Sequence, residues 1–289
     1  MIANNTIKII TREVFDAQPE AIQRVHGGDI NESFCVEIGV RRYFIKINSA
    51  APAGFFAAEQ DGLFRLRAAN RLRVPAVIAH SDGGDHLPAC LVLEWLEDEP
   101  PSAAFAARFG EALALQHQIT QADFGLDRDN FIGKLPQRNT PTSHWVDFYR
   151  DHRIAPQTAL ARKRGLSASR LGALERLMAR LPALLPNTST PALLHGDLWR
   201  GNYMALAGDI PTVIDPAVYF GDREIELAFT ELFGGFSAQF YGAYRATFPL
   251  EPGYEERRAL YQLYPLLVHY NLFGEPYGAH VEAICRRYV

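Results

Sequence analysis

The sequence predicts an α+β protein in two unequal parts: a small N-terminal part with an antiparallel sheet and a helix, then a larger, mainly helical part. Three observations lead there. Three short runs before residue 50 alternate apolar and polar residues, the proline-broken stretch EDEPP interrupts all regular structure at residues 97–101, and helical periodicity dominates the remainder of the chain. We assign residues 1–97 to the first part, 98–103 to a linker and 104–289 to the second. Clefts between two such parts commonly hold ligands.

The runs AIQRVH, SFCVEI and YFIKIN read as three strands. Gly27 and Gly28 lie in the first turn and Gly39 in the second, so two linked hairpins follow. GFFAAEQDGLFRLRAAN places Phe55, Phe56, Leu63 and Leu66 near helical spacing among good helix formers. VPAVIAH and the polar tip SDGGD lead to ACLVLEWL, dense enough in apolar residues for a central strand. Beyond the linker, Phe105, Phe109, Leu113, Gln116 and Ile119 mark a helix. Others are expected near residues 143–152, 167–180, 223–233, 236–247 and 255–272, and only PALLHG and PTVID look like strands there.

Composition narrows the function. With 289 residues, 48% hydrophobic and 21% charged, the chain can bury one or two sizeable cores. The net charge of −4, with no basic run longer than ARKRG, offers no footprint for a nucleic acid. No apolar run approaches the roughly 18 residues of a membrane span, and the opening MIANNTIKIITREV lacks a secretory pattern. A cytoplasmic protein is expected. Cys35, Cys90 and Cys285 are widely spaced without a CxxC pair, which argues against a disulfide framework or structural zinc. His80, His86 and Cys90 fall in what reads as a hairpin tip.

Chemistry concentrates in HGDLWRGN, residues 195–202, where an aspartate is followed by four residues and an asparagine. Protein kinases use that order in their catalytic loop. Asp197 would accept or orient the proton of an attacking hydroxyl, and Asn202 would reach a magnesium ion on the phosphates. Thirteen residues beyond Asn202, Asp215 ends the apolar run PTVI, where a second oxygen ligand belongs. HGGDINES, with Gly27, Gly28 and Asn31, could offer backbone N–H groups to phosphates, although a plain turn explains the glycines equally well. Lys46 in YFIKIN fits a lysine on the α and β phosphates, with Glu59 of the following helix as its acidic partner. Asp61 is the competitor, two residues on and so on a different face.

Together these words resemble the fructosamine kinase family, also called ketosamine 3-kinases, within the aminoglycoside phosphotransferase-like and protein-kinase-like folds. The resemblance runs from about Val25 to the end of the chain. GGDINESF and YFIKIN resemble the phosphate loop and lysine strand. LVLEWL resembles the segment joining the lobes, which implies nucleotide contacts at Glu94 and Leu96. DNFIGKLPQRN and HWVDFYRDHRIAPQ resemble stretches that set this family apart from other small-molecule kinases. HGDLWRGN, DPAVYFGDREIELAFTELFGGF and LYPLLVHYNLFG complete the match. Two positions depart from it: Arg200 stands where a small residue is usual, and Asp29 where some relatives carry a redox-active cysteine.

The resemblance implies a bilobal protein-kinase-like fold that uses ATP and Mg2+ to phosphorylate the 3-hydroxyl of a ketoamine, the adduct of a sugar with a lysine or other amine. Decay of the product frees the amine, a deglycation. On the substrate side, the ring of Trp199 could pack on the sugar or its carrier, or wedge between the lobes. Trp145, His269 and Asn271 could shape the pocket or fill the core. His195 and Asp222 are expected as structural support, Asp222 accepting hydrogen bonds from the catalytic loop and capping the next helix. Two other readings stand beside this one: a kinase of the same fold acting on an aminoglycoside, choline or a sugar, and a catalytically silent nucleotide-binding protein. The amine, its free or protein-bound state and the oligomeric state are not read from the sequence.

Overall fold

The computed structural model describes residues 2–25, 30–84 and 87–289. The three alternating runs become β1 (Ala21–Val25), β2 (Glu32–Ile38) and β3 (Arg41–Ile47), while VPAVIAH and ACLVLEWL supply β4 (Val77–Ser81) and β5 (Cys90–Glu94). All five form an antiparallel sheet in the order β1-β2-β3-β5-β4. The tip between β4 and β5 includes Asp85 and His86, which lie outside the described residues.

Successive side chains of a strand point to opposite faces, and here each face is covered by a different helix. Ile45 and Ile47 of β3, with Cys90 and Val92 of β5, cluster with Ile7 and Ile10 of α1 (Ile2–Phe15). Leu91 and Leu93 cluster instead with Phe56, Leu63 and Leu66 of α2 (Phe55–Ala69). A strand buried on both faces needs apolar residues at every position, which is why ACLVL does not alternate. The helix α1, before residue 21, is an addition to the elements expected from the sequence; it forms because Ile7, Ile10 and Val14 recur at helical spacing and close the free face of the sheet.

Register also decides where Lys46 goes. Ile45 and Ile47 face α1, so Phe44 and Lys46 face α2, with Phe44 packed on the second cluster.

The helical part holds α3 (Phe105–Gln116), α4 (Trp145–Phe148), α5 (Ala155–Lys163), α6 (Ala168–Leu184), α7 (Arg223–Thr230), α8 (Ala238–Thr247), α9 (Tyr254–Phe273) and α10 (Gly278–Tyr288). A π-helical stretch, Tyr149–Ile154, joins α4 to α5. Ser167, Asp222 and Ser237 cap α6, α7 and α8 by accepting backbone N–H groups of the first turn. Six short strands form ribbons between the helices: β6 (Asn130–Ile132), β7 (Leu135–Gln137), β8 (Ala192–Leu194), β9 (Tyr203–Leu206), β10 (Ile210–Val213) and β11 (Tyr219–Gly221). β6 pairs with β7, β9 with β10 and β8 with β11. The expected strands PALLHG and PTVID are thus β8 and β10, in separate ribbons.

The second cluster does not stop at the sheet. It runs from Leu66 and Leu91 through Phe109 and Leu113 of α3 to Leu193 of β8 and Val213 of β10, the strands that lead into the HGDLWRGN loop and Asp215. Among the described residues no helix is long and apolar enough to cross a membrane.

Candidate active site

β8 leads directly into His195, Gly196 and Asp197. Gly196 has φ 84°, and a Cβ there would fall 2.0 Å from the carbonyl oxygen of Ala217, so only glycine fits this bend. His195 is fully buried. The Asp197 N–H donates to its Nδ1 at 3.3 Å, which makes Nε2 the protonated nitrogen that donates to the Ile214 carbonyl at 2.9 Å. Burial lowers the imidazole pKa, in keeping with that neutral form.

After Trp199 the chain makes a 3₁₀ turn, Arg200–Asn202. Asn202 reaches back, donating its Nδ2 to the carbonyl of Asp197 at 2.8 Å and to its Oδ2 at 3.0 Å. Ile214 N–H in turn donates to the Asn202 carbonyl at 3.0 Å. The loop is closed on itself and tied to the end of β10, where Asp215 takes the sparsely allowed φ of 56°.

Lys46 enters from the sheet. Its Nζ donates to Glu59 Oε1 at 2.7 Å and to Asp215 Oδ1. Burial alone would lower its pKa, but Asp215 and Glu59 outweigh burial and hold the ammonium above its ordinary value. Asp61 instead pairs with Arg65 at 2.7 Å, one turn along α2. Sheet, α2 and both chemistry-bearing loops therefore meet at one point, with Lys46, Glu59 and Asp215 in contact and Asp197 joined to Asn202.

Asp197 is shifted toward its neutral form. Burial first and Asp215 second push its carboxyl up to about 7, against the hydrogen bond from Asn202. Beside it lies a narrow cleft, lined among others by Ile132, Tyr219, Phe229, Tyr264 and His269. An acceptor hydroxyl in that cleft would lie next to the carboxylate.

A carboxylate absent from the expected set supports the loop from below. Glu226 Oε1 accepts Gly196 N–H at 2.6 Å, and Oε2 accepts His195 N–H at 3.1 Å. His117 of the segment after α3 donates to the same Oε2 at 2.9 Å and meets the Tyr244 hydroxyl at 2.8 Å through its other nitrogen.

A family model of fructosamine kinases matches residues 2–289. The chain belongs to the fructosamine kinase family. A probable ketoamine kinase from Synechocystis sp. is 42% identical over 275 residues, 93% of this chain and 92% of that protein. A crystal structure assigned to a fructosamine-3-kinase of Thermobifida fusca aligns with a TM-score of 0.87 at 33% identity, covering 98% of each chain. A thermostable mutant of an aminoglycoside phosphotransferase aligns with a TM-score of 0.65 at 20% identity over 96% of this chain and 98% of its own, a likeness of fold alone. The fold is the bilobal protein-kinase-like one, and this fructosamine kinase family member is an ATP-dependent phosphotransferase.

The other expected residues divide. Gly27 and Gly28, with Asp29, lie outside the described residues. Asn31 accepts from Asn48 Nδ2 at 3.0 Å, tying the end of that loop to the end of β3. The Glu94 carboxylate is taken by Arg73 and by Ala76 N–H, both at 2.5 Å, and its own N–H donates to the Ala76 carbonyl at 2.9 Å; Leu96 is half-buried nearby in sequence. Trp199 is 40% exposed, its ring lying over Gly201. Arg200 turns its guanidinium onto the ring of Tyr203, 4.6 Å from the centroid.

His269 lines the cleft beside Asp197, but Trp145 and Asn271 do not reach it. Trp145 is buried in the helical core and donates to Tyr261 at 3.2 Å. Asn271 is fully buried and donates to the Gln157 carbonyl at 2.9 Å and side chain at 2.8 Å. Both belong to the core, where their polar atoms need internal partners. Asp222 caps α7, and its other oxygen accepts from Ser189 at 2.6 Å and Tyr261 at 2.7 Å. The loop bonds expected of it go to Glu226, one turn further along α7. The available signal was an acidic residue inside REIELAFT between Ile225 and Leu227, a place where carboxylates are rare unless paired.

Proposed function

We propose that this fructosamine kinase transfers the γ-phosphoryl group of ATP to the 3-hydroxyl of a ketoamine. The observation that carries the reading is the convergence of Lys46, Glu59 and Asp215 with the Asp197–Asn202 loop beside a narrow cleft. Lys46, oriented by Glu59, holds the α and β phosphates. The Glu94 carbonyl and backbone groups of Leu96 take the adenine, and Gly27, Gly28 and Asn31 serve the phosphates. Asp197 accepts the proton of the acceptor hydroxyl, a role that suits a carboxyl poised near neutrality. Trp199 and His269 border the acceptor. His195 and Asp222 hold the frame.

The donors at this point fit magnesium. Asp215 is a hard carboxylate with 41% of its side chain exposed, and Asn202 commits only its Nδ2, leaving Oδ1 for a cation. Among the described residues no group of three His, Cys, Asp or Glu could hold a metal unaided. Magnesium is ordinarily bound by one or two side-chain oxygens plus phosphates and water, so the ion would arrive with the nucleotide. When bound it neutralises charge on the phosphates.

Residues 1–97 and 104–289, joined by 98–103, act in this reading as two lobes around the nucleotide. The acceptor is a sugar adduct of a free or protein-bound amine in the cytoplasm, and decay of its 3-phosphate releases the amine. A coupled assay of ADP formation with Mg-ATP and ribulose or fructose adducts of lysine tests this. Turnover should require the adduct, and Asp197→Asn should lower kcat by at least about 100-fold with ATP binding kept, the scale of general-base removal. Turnover on aminoglycosides, choline or free sugars alone would replace the acceptor. Activity within tenfold in the Asp197→Asn protein would remove Asp197 from the base role.

A further inference from the structure

Arg153 lies in the π-helical stretch and is fully buried. Among the described residues no carboxylate pairs with it. Burying an unpaired charge is expensive unless its hydrogen bonds are met, and Arg153 meets them with neutral groups. Nη1 donates to the carbonyls of Arg138 at 2.5 Å and His152 at 3.1 Å, and Nη2 to Asn139 Oδ1 at 2.8 Å. The guanidinium also stacks over Tyr219, 3.9 Å from its centroid, and lies 4.6 Å from that of Phe148. Its Nε remains buried without a partner among the described residues.

The residues beyond Arg153 form a ladder of side-chain amides. Asn139 Nδ2 donates to Asn130 Oδ1 at 2.8 Å, and Asn130 Nδ2 donates to the Val218 carbonyl at 2.7 Å. Gln137 Nε2 donates to Asn130 Oδ1 at 2.8 Å and to the Ala217 carbonyl at 3.0 Å, while Tyr264 donates to Gln137 Oε1 at 2.6 Å. An amide can turn over and exchange its donor and acceptor ends. A guanidinium cannot, because it only donates. Arg153 therefore forces Asn139 to present its oxygen inward and its N–H2 outward, and that choice propagates through Asn130 to the backbone.

The ladder ends at Ala217 and Val218, and Ala217 braces the active loop. Ala217 N–H donates to the His195 carbonyl at 2.9 Å, and the Ala217 carbonyl is the atom that confines Gly196. Asp215 stands two residues earlier in the same segment. We propose that Arg153 is a positioning residue: it sets the direction of the Asn139–Asn130–Gln137 amide ladder and thereby holds the Ala217–Val218 segment against the Asp197 loop. This inference rests on the reading of Asp197 as the base and Asp215 as a magnesium ligand. It also gives a purpose to the β6–β7 hairpin and the π-helical stretch, which bring the ladder and the arginine together.

The deciding variant is Asn139→Asp. The new carboxylate accepts from Arg153 and supplies the missing counter-charge, but it has no N–H to give Asn130 or the Arg128 carbonyl, which Asn139 Nδ2 also meets at 3.2 Å. The melting temperature should stay within about 3 °C of the parent or rise, while kcat falls on the order of 10- to 100-fold and KM for ATP moves less than about threefold. Parental kcat in this variant overturns the proposal. If it does not fold, Arg153→Lys and Arg153→Met decide: lysine also only donates and should keep kcat within about fivefold, whereas methionine should lose at least tenfold. Equal losses in the pair overturn the proposal. Asp197→Asn measured alongside separates the two claims, since an active Asp197→Asn protein defeats the reading of the site itself, and an inactive one beside a fully active Asn139→Asp protein defeats the ladder alone.

Discussion

Glu226 and Gly196 are joined by a 2.6 Å hydrogen bond from the glycine N–H to Oε1, beneath the bend that presents Asp197. The second oxygen serves His195 N–H and His117 together, so both ends of the carboxylate must accept. Burial alone would raise its pKa, but the hydrogen bonds from His117 and Gly196 help outweigh this, and the carboxyl is held below its ordinary value.

Glu226→Gln keeps the shape and replaces one acceptor by a donor. Either Gly196 or the His195–His117 pair then faces an N–H, leaving a buried donor unsatisfied at a cost of about 1–3 kcal/mol. Calorimetry should show a lower Tm, and the coupled assay a kcat reduced at least tenfold. A variant with both values unchanged would mean that the loop holds its shape without Glu226.

The proposed catalytic loop, with Asp197 joined to Asn202, could be picked out because its spacing carries a chemical reason, and the Lys46–Glu59 contact follows from strand and helix order. Glu226 was not, because Asp222, Glu224 and Glu226 look alike in sequence. Only packing assigns Asp222 to the cap, Glu224 to Arg257 at 2.5 Å and Glu226 to the loop. Trp145 and His269 illustrate the same limit: an aromatic residue in a helical run suits core and pocket equally until α4 and α9 are packed. The face taken by Lys46 is not legible from its strand either, because its same-face neighbours Phe44 and Asn48 point opposite ways, one apolar and one polar, and the orientation comes from packing on α1.

Lys46 and Glu59 should act as one unit. Their contact is buried, with side chains 4% and 11% exposed, so removing Lys46 leaves Glu59 without its counter-charge in a poorly solvated site, and removing Glu59 leaves the ammonium to Asp215 alone. Lys46→Ala and Glu59→Ala should each lower kcat/KM for ATP, and the double variant should lose far less than the product of the two effects. Fully multiplicative losses across the cycle would mean that the two side chains act separately.

Acid should destabilise the protein partly through histidines. Burial lowers the pKa of His269, opposed by its bond to the Pro265 carbonyl, and burial with the Arg153 charge lowers that of His152. Both folded values lie below the ordinary unfolded value of about 6.5. The unfolded chain therefore takes up protons first as pH falls, and this contribution is full above about pH 6.5 and lost on descending through the folded values. The drop in Tm between pH 7.5 and 5.5 should be smaller in His269→Gln than in the parent. An identical drop would assign the acid sensitivity to other groups.

Arg200, the departure from the family pattern in the catalytic loop, should be nearly neutral for chemistry. It stands three residues from Asp197, yet its guanidinium rests on the Tyr203 ring, 4.6 Å from the centroid, and Asp197 is affected by Asp215 and Glu226 rather than by this cation. An exposed cation–π contact contributes about 0.5–1 kcal/mol. Arg200→Ser should thus lower stability by no more than that and leave kcat within about threefold. A kcat loss above tenfold, or a pH–rate profile displaced by more than one unit, would instead place the arginine among the groups that act on the transferred phosphoryl, where an added positive charge would stabilise the developing negative charge.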